Sequence, residues 1–266
     1  MPETVEESIQ AAELAIFQRK SLSLAAAAVA GLSGRFESLS HGGLRASMAT
    51  GDQYGFLNVV EGLDDQSVVA LPDVLKQFPG QRQPTLIATQ PSLSLTDRLL
   101  KDGYTPAPTR PIAYLCPSTN NRLDGTAIEE WQIHEVSTKK DTSVFLDLLD
   151  AGYAPSREIG DLIRAEHAHP MVRGFIASRN GKPLAAAAMS VHPTGAVFGG
   201  ASTLSAARGT GAQAALLSCR LQQARVLGIP LATATAAPGA PSIRNLARLG
   251  FTIVERTAWH LTPVNR

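Results

Sequence analysis

The stretch AARGTGAQAALL, from Ala206 to Leu217, decides which folds the chain can adopt. It follows a predicted strand, Ala196 to Leu204, and its later residues open a helix in which apolar side chains recur at helical spacing. Gly209 and Gly211 have no Cβ to obstruct a ligand, and the N–H groups of the first helical turn attract anions. Together with the positive charge of Arg208, this strand–loop–helix segment predicts a phosphate-binding site.

Two common nucleotide-binding loops fit this segment poorly. A P-loop requires Gly-Lys-Ser/Thr after the glycines, and the loop contains no lysine. The dinucleotide fingerprint G-x-G-x-x-A is matched by Gly209, Gly211 and Ala214, but it needs an acidic residue about twenty positions later to hold the ribose. The region Leu231 to Thr235 reads LATAT, and no carboxylate appears before Glu255. Both nucleotide sites are therefore disfavoured.

The segment resembles the acyl-CoA-binding loop of the GNAT superfamily, whose pattern is Arg/Gln-x-x-Gly-x-Gly/Ala. Arg208 to Gln213 reads RGTGAQ, which matches every position except the last, where Gln213 replaces the small residue. A second segment, SIRNLARLGF from Ser242 to Phe251, is similar to the family's next helix, which ends in Leu-Gly-Phe before a strand. The resemblance covers about the last half of the chain, and two motifs at the family's separation are more specific than one.

The resemblance implies an α+β fold, in which a mixed, mostly antiparallel sheet is flanked by helices. It implies acetyl-CoA or another acyl-CoA as cosubstrate, no metal, and a strand ending near Thr203 that separates from its neighbour to admit the pantetheine arm. The CoA-binding residues that it implies are Thr203, Arg208, Gly209, Thr210, Gly211, Ala212, Gln213, Ala214, Ser242 and Asn245. For Ser242, which follows Pro241, capping of the helix is an equal alternative.

The resemblance gives less guidance on the groups that move protons. Many family members place a tyrosine four residues before the glycine of Gly-Phe, where it protonates the departing thiolate, and this chain has Leu246 there. The acceptor side of such a domain is lined by the helices before the hairpin, which here carry Glu158, Asp161, Glu166, His167 and His169. We take Glu166 and His169 as the candidate catalytic residues. A solvated helix face, or the dipole at a helix end for the histidines, accounts for these side chains without catalysis.

The remaining pattern predicts an α+β succession along the whole chain. Thr4 and Glu7 form a capping-box pattern that begins an amphipathic helix. Further predicted helices are 68–78, 95–101, 143–151 and 158–167; predicted strands are 36–40, 44–50, 85–88, 112–115, 131–136, 174–178 and 184–192.

Two segments in the first half of the sequence resemble two segments in the second half. The segments LLKDGY and PIAYLCP, residues 99–104 and 111–117, parallel LARLGF and TAWHLTP at 246–251 and 257–263, which suggests two domains of this type in tandem. The same offset places the counterpart of the loop at Val59 to Asp65, whose carboxylates would repel pyrophosphate.

The polar stretch 117–126 is the predicted linker between the two domains. We therefore divide the chain into 1–125, a degenerate GNAT-like or accessory domain, and 126–266, a GNAT acyltransferase domain. The first domain is expected to pack against the second or to build its acceptor pocket.

Composition limits the partners. The formal net charge is +1 and no dense Lys/Arg run occurs, so we expect no nucleic acid as partner. Cys116 and Cys219 match no disulfide or zinc pattern. The apolar stretch Leu22 to Leu32 is too short to span a bilayer and follows acidic residues, which are atypical of a signal peptide. These features predict a cytoplasmic protein without membrane contact. They do not fix the oligomeric state, and we expect a monomer or homodimer.

The leading hypothesis is an acyl-CoA-dependent N-acyltransferase, in the first instance an acetyltransferase, acting on a primary amine of a small molecule. Two alternatives stay open. The missing tyrosine fits a module that binds acyl-CoA without turnover, and tandem domains of this type also occur in acyltransferases that use aminoacyl-tRNA as donor.

Overall fold

The computed structural model describes residues 2, 4–79, 83–117, 130–153 and 156–262. The first element, α1 (Val5–Val29), begins as predicted: Thr4 Oγ1 accepts from the Glu7 amide at 3.1 Å, and the Glu7 carboxylate accepts from the Thr4 amide at 3.2 Å. The alanine-rich stretch continues this helix. Neither α1 nor any other described helix combines the length and apolarity needed to cross a lipid bilayer.

The first sheet has six strands in the order β1-β2-β3-β4-β13-β5. Its strands are β1 (Phe36–His41), β2 (Leu44–Ala49), β3 (Val59–Glu61), β4 (Thr85–Thr89), β5 (Tyr104–Ala107) and β13 (Arg256–Leu261). Two 3₁₀ helices, Asp52–Leu57 and Ser67–Ala70, and the helices α2 (Leu71–Leu75) and α3 (Leu93–Lys101) connect them. β3 and β4 are parallel, and the other neighbours are antiparallel.

The second sheet has seven strands in the order β12-β6-β11-β10-β9-β8-β7. Its strands are β6 (Ile112–Leu115), β7 (Gln132–Glu135), β8 (Val172–Arg179), β9 (Lys182–His192), β10 (Gly195–Thr203), β11 (Ala232–Thr235) and β12 (Thr252–Val254). Its helices are α4 (Lys139–Tyr153), α5 (Arg157–His167), α6 (Ala212–Val226) and α7 (Pro241–Arg248). β10 and β11 are parallel, and the other neighbours are antiparallel, so the predicted α+β class is confirmed.

The two sheets exchange strands. β6 comes from the first half of the sequence but lies inside the second sheet, between β11 and β12. β13 comes from the second half but lies inside the first sheet, between β4 and β5. β6 and β13 are the strands that contain the repeated sequence segments. We call each sheet with its connecting helices a unit, so the two tandem units exchange these strands reciprocally. The predicted boundary at 125/126 and most of the linker lie outside the described residues, and this division stays a prediction.

Helix α1 joins the two units. Ile9, Ala12 and Ile16 pack with Ile112, Leu231 and Val254 of the second sheet. Further along, Leu24 and Ala27 pack with Phe36, Ala49 and Tyr54 of the first unit and with Leu162 of α5. Burying both stretches of α1 is expected to hold the units together through the hydrophobic effect.

One predicted element is wrong in extent. The pattern predicts a helix over 68–78, and the structure instead has the 3₁₀ helix Ser67–Ala70 followed by the five-residue α2. Pro72 has no amide hydrogen to bond the carbonyl of residue 68, so a continuous α-helix cannot run through this position. The short strands β3 and β5 have too few residues to show a period and were not predicted.

Candidate functional site

The parallel strands β10 and β11 separate after three paired positions. Ala196 to Phe198 pair with Ala232 to Ala234, but β10 continues to Thr203, whereas β11 ends at Thr235. The register of β10 against β9 also shifts between Gly199 and Ser202. The last residues of β10 therefore have no partner on the β11 side, as the resemblance implies.

This separation opens a cleft of about 360 Å³ between the strand ends and the helices α6 and α7. It is lined by Phe198, Gly199, Gly200, Ala201, Thr203, Gln213, Leu217, Arg220, Ala234, Thr235, Pro241, Ser242, Asn245 and Leu246. Four of the residues implied by the family resemblance, Thr203, Gln213, Ser242 and Asn245, thus lie together around one cleft.

The glycine loop lies at the start of α6, next to this cleft. Gly209 and Gly211 have φ angles of 78° and 88°, a left-handed conformation that most side chains disfavour. Gly211 is the N-cap of α6, and no side chain caps the helix. The amides of the first turn, which have no intrahelical acceptor, are therefore available to an anion. The exposed Arg208 lies beside them, and its Nε is 3.4 Å from the carbonyl oxygen of Thr203.

Gln213 departs from the family pattern without closing the cleft. Its Nε2 donates to the carbonyl oxygen of Ser202 and to Oγ1 of Thr203, both at 2.8 Å. The side chain thus ties the first turn of α6 to the end of β10. Thr210 is held nearby, because its hydroxyl donates to the carbonyl of Ala207 at 2.6 Å.

The helix α7 forms the opposite wall of the cleft. Its N-cap is Ala240, and no side chain caps it, so the alternative that Ser242 caps this helix is wrong. Ser242 is one residue too far along, because α7 already begins at Pro241. Leu246 is buried and lines the cleft, so position 246 presents a hydrocarbon surface where the family usually has a hydroxyl.

Arg220 is a cleft residue that the sequence analysis missed. Its guanidinium donates to the carbonyls of Leu216 at 3.1 Å and Ala188 at 2.9 Å, and lies 4.9 Å from the ring centre of Phe198. The residue is 1% exposed, so it brings a buried positive charge to the lining of the cleft. Its spacing from the apolar Leu216 and Leu217 on α6 was the available signal.

The two candidate catalytic residues lie near the end of α5 and do not line the cleft. Glu166 forms an ion pair with Arg19 of α1, with 2.5 Å between Oε1 and Nη2. Burial raises the pKa of this carboxyl, but its partners, Arg19 among them, outweigh burial, and the pKa is lowered. His169 lies beyond α5, and its Nδ1 accepts from the amide of Met171 at 3.2 Å. Glu166 is therefore an ionised, paired carboxylate, and their catalytic assignment stays a prediction.

His167 lies between Glu166 and His169 in the sequence, and its ring points towards β10, the strand that borders the cleft. Its Nδ1 lies 2.8 Å from the carbonyl oxygen of Ile163, which can only accept, so Nδ1 carries the proton. The other nitrogen, Nε2, is buried and has no hydrogen-bond partner among the described residues. It faces Gly200, where a Cβ would overlap it. Burial lowers the pKa of the ring, partly opposed by Glu166, so the imidazole is neutral near pH 7.

The corresponding loop of the first sheet follows β3 and is built differently. Asp64 Oδ1 accepts from the amides of Gln66 at 2.8 Å and Ser67 at 2.6 Å. The Ser67 hydroxyl accepts from the Asp64 amide at 2.9 Å and donates to the Gly62 carbonyl at 2.8 Å. The carboxylate of Asp64, one of those expected to repel pyrophosphate, thus itself accepts hydrogen bonds from the amides of this loop.

Among known proteins, the similarity is found in solved structures. No protein-family model and no curated protein sequence matches the chain. Among solved structures, a GCN5-related N-acetyltransferase from Kribbella flavida is similar over 96% of both chains, with a TM-score of 0.65 and 19% identity. A tandem GNAT protein from the clavulanic acid biosynthesis pathway matches over 100% of this chain and 98% of its own, with a TM-score of 0.56 and 12% identity.

A third similar structure is a GCN5-related N-acetyltransferase from Sphaerobacter thermophilus. It covers 84% of this chain and 81% of its own, with a TM-score of 0.54 and 15% identity. At these identities the likeness concerns the fold. The chain therefore has the fold of the GCN5-related N-acetyltransferases, arranged as two units in tandem.

Proposed function

We propose that the protein transfers an acyl group, in the first instance acetyl, from acyl-CoA to a primary amine of a small molecule. The observation that carries this proposal is the uncapped start of α6 beside the opening between β10 and β11. An acyl-CoA needs an anion site for its pyrophosphate and an unpaired strand edge for its pantetheine arm. The uncapped start of α6 would serve as the first and the free end of β10 as the second, and Gln213 links them through Thr203.

The described residues fit such a cosubstrate. The amides of the first turn of α6 and Arg208 would hold the pyrophosphate, and Gly209 and Gly211 leave room for close approach. The free edge of β10 would pair with the pantetheine amides, while Ser242 and Asn245 would contact it from α7. A bound acyl-CoA supplies an activated thioester, so the protein's own task is to align the amine and to accept its proton.

For that proton, His167 is the best-placed acceptor among the candidates on α5. Its neutral ring directs the lone pair of Nε2 at Gly200, which lines the cleft, so Gly200 covers this nitrogen and must shift before an amine can reach it. Glu166, one of the two candidates taken from the sequence, is engaged by Arg19, and His169 accepts a backbone amide. We propose that the amine approaches from the α5 side and passes its proton to His167. We also keep the division at 125/126 as a proposal, in which residues 1–125 help to form the acceptor side.

Calorimetric titration with acetyl-CoA, followed by a thiol-release assay over a panel of primary amines, tests the proposal. Micromolar binding that weakens in Arg208→Ala, together with thiol release that depends on one class of amine, is the expected result. Arg248→Ala, an arginine near the end of α7 and outside the cleft lining, is the matched control and should bind as the unaltered protein does. Absence of acetyl-CoA binding would overturn the proposal, and binding without turnover of any amine would favour the non-catalytic alternative.

The proton acceptor has its own test on the same helix end. His167→Gln should lower kcat with little change in the affinity for acetyl-CoA, whereas His169→Gln should change neither. Because burial lowers the pKa of His167, the activity should hold at neutral pH and decline only below the ordinary histidine value. An unchanged kcat and pH profile in His167→Gln would rule out this role.

A further inference from the structure

A second cavity, of about 370 Å³, lies between the two units. Thr235, at the end of β11, lines both this cavity and the acyl-CoA cleft, so the two spaces meet at the point where β10 and β11 separate. Its apolar walls come from the first unit and include Phe56, Val59 and Ile87. The cavity is large enough for a small metabolite.

The charged side chains that line this cavity are all positive. They are Lys20 from α1, Arg110 from the segment before β6, and Arg256 from β13. Another cavity along α1, of about 530 Å³, is lined instead by three carboxylates and one arginine. The excess of cations is therefore a property of this cavity and does not extend over the whole interface between α1 and the first sheet.

The surrounding residues neutralise only part of this charge. Glu61 Oε2 lies 2.8 Å from Nζ of Lys20, and Oε1 lies 2.8 Å from Nη1 of Arg256, so two cations share one carboxylate. The nearest second carboxylate, Glu13, is 3.8 Å from Arg256 and is itself bonded to Arg45 at 2.9 Å. Three cations against Glu61 alone leave two positive charges, which repel one another across a partly buried space.

Two guanidinium groups keep donors for a ligand. Arg256 uses Nη1 for Glu61 and Nε for the carbonyl of Arg110 at 2.8 Å, and no described residue accepts from its Nη2. The exposed guanidinium of Arg110 forms no hydrogen bond or ion pair with any part of the chain that the structure describes. Burial lowers the pKa of Lys20, Glu61 opposes this, and the charges of Arg256 and Arg110 lower it further. An anion in the cavity would relieve this repulsion.

We propose that this cavity binds a negatively charged oxygen group of the acceptor, a carboxylate or a phosphate, through Arg110 and Arg256. The acceptor is then an amine that also carries an anion, as an amino acid does, with its nitrogen directed past Thr235 towards the thioester. Arginine recognises both oxyanions through paired hydrogen bonds, which gives orientation as well as affinity. The identification of the ligand as the acceptor depends on the proposed acyl transfer, whereas the binding of the anion does not.

The test measures binding of product-like probes without acetyl-CoA. N-acetylated amino acids with uncharged side chains and their primary amides are titrated by ligand-observed NMR, together with N-acetylated phosphoethanolamine and its uncharged counterpart, N-acetylethanolamine. At least one acid, or the phosphate, should bind about tenfold more tightly than its uncharged partner, the gain typical of a hydrogen bond to a charged group. Preference for acids identifies carboxylate as the recognised group, and preference for the phosphate identifies phosphate.

Two variants and one control locate the binding. Arg110→Gln removes an exposed cation, and Ala237→Glu adds a carboxylate to the lining; each should abolish most of the preference for the charged probe. Arg98→Gln removes another exposed arginine from the lining of a cavity of the same volume, about 370 Å³, beside α3, and should leave the preference unchanged.

The proposal would be overturned if the amides bind as tightly as the acids, or if no probe binds. It would also be overturned if Arg98→Gln reduces the preference as much as Arg110→Gln does. Charge-dependent binding in a protein that fails to bind acetyl-CoA would keep the anion site and overturn only the acyl transfer.

Discussion

In the part of the chain that the structure describes, two strand pairs are parallel, β10 with β11 and β3 with β4, and the loops that follow β10 and β3 treat their backbone amides in opposite ways. In the second sheet, the loop after the first strand leaves the amides at the start of α6 without a side-chain cap. In the first sheet, Asp64 and Ser67 bond the equivalent amides from within the chain. The same topology can therefore leave these amides without a side-chain partner, or satisfy them with a carboxylate and a hydroxyl.

The last paired residue before the strands separate shows the same contrast. In the second sheet it is Phe198, which lies in the cleft under Arg220. In the first sheet it is Glu61, buried between Lys20 and Arg256. The residue at this position in the first unit ties α1 and β13 together, and the residue in the second unit lines the cleft.

The largest effect is expected for Glu61→Gln. Removing one member of a buried ion pair leaves unpaired charges, so the free energy of unfolding should fall by about 3–5 kcal/mol. Burial raises the pKa of Glu61, but Lys20 and Arg256 outweigh it and lower the pKa to about 2. Because the folded-state pKa is depressed, the stabilisation is present above the unfolded value of 4.5 and is lost as the pH falls from there towards about 2. Urea denaturation across this range measures it.

The control for this change is Glu37→Gln, which removes a carboxylate from an exposed ion pair with Arg35. Its effect on unfolding should be small at every pH because solvent screens the pair. Equal effects of the two changes would show that Glu61 is not the central group of the cluster.

The second-largest effect is expected when the loop before α6 receives a carboxylate, as the loop after β3 has in Asp64. Gly211→Asp should weaken acetyl-CoA binding on the order of a hundredfold, because a carboxylate would lie where we propose that the pyrophosphate binds. Gly211→Asn is the matched control, since Asn and Asp tolerate the left-handed conformation of this residue similarly. Calorimetry should show a much smaller loss for Asn, and equal losses would attribute the effect to shape alone.

A third change tests the close contact between β10 and α5 at Gly200. Gly200 has a φ angle of 53° and faces Nε2 of His167, so Gly200→Ala should cost about 1–3 kcal/mol through strain and overlap. The neighbouring Gly199 has open space around the position of a Cβ, and Gly199→Ala should change stability far less. Thermal unfolding of the pair measures the difference, and similar values would contradict the close contact between β10 and α5.

The smallest effect is expected for Asp64→Asn in the closed loop. Burial raises the pKa of Asp64, but the amides of Ser67 and Gln66 outweigh it, and the pKa is lowered. Loss of this capping interaction should cost about 1 kcal/mol at neutral pH, and the cost should disappear as the pH falls through the lowered pKa. Asp97→Asn, an exposed carboxylate on α3, is the control. A cost that persists in acid would argue against the capping role.

The sequence predicted those features that depend on neighbouring residues. The capping box of α1, the strands β8 and β9, and the glycine loop before α6 each have their signal within a few positions of one another. The parts that were missed depend on residues that are distant in sequence. Glu61 is explained by Lys20 and Arg256, and the direction of His167 is visible only once Gly200 is placed beside it. Local patterns therefore predicted the location of the loop, whereas the charge and shape of the acceptor side required the tertiary structure.

The exchange of β6 and β13 also affects how the protein is made. β5 ends at residue 107 and β13 begins at residue 256, so a growing polypeptide displays β4 and β5 long before their central partner emerges from the ribosome. During that interval both strands expose edges that invite incorrect pairing. Synthesis of the second unit must then be nearly finished before the first can close. The slow step of biogenesis is therefore expected to be the insertion of β13, and chaperones that shield nascent strand edges should raise the yield.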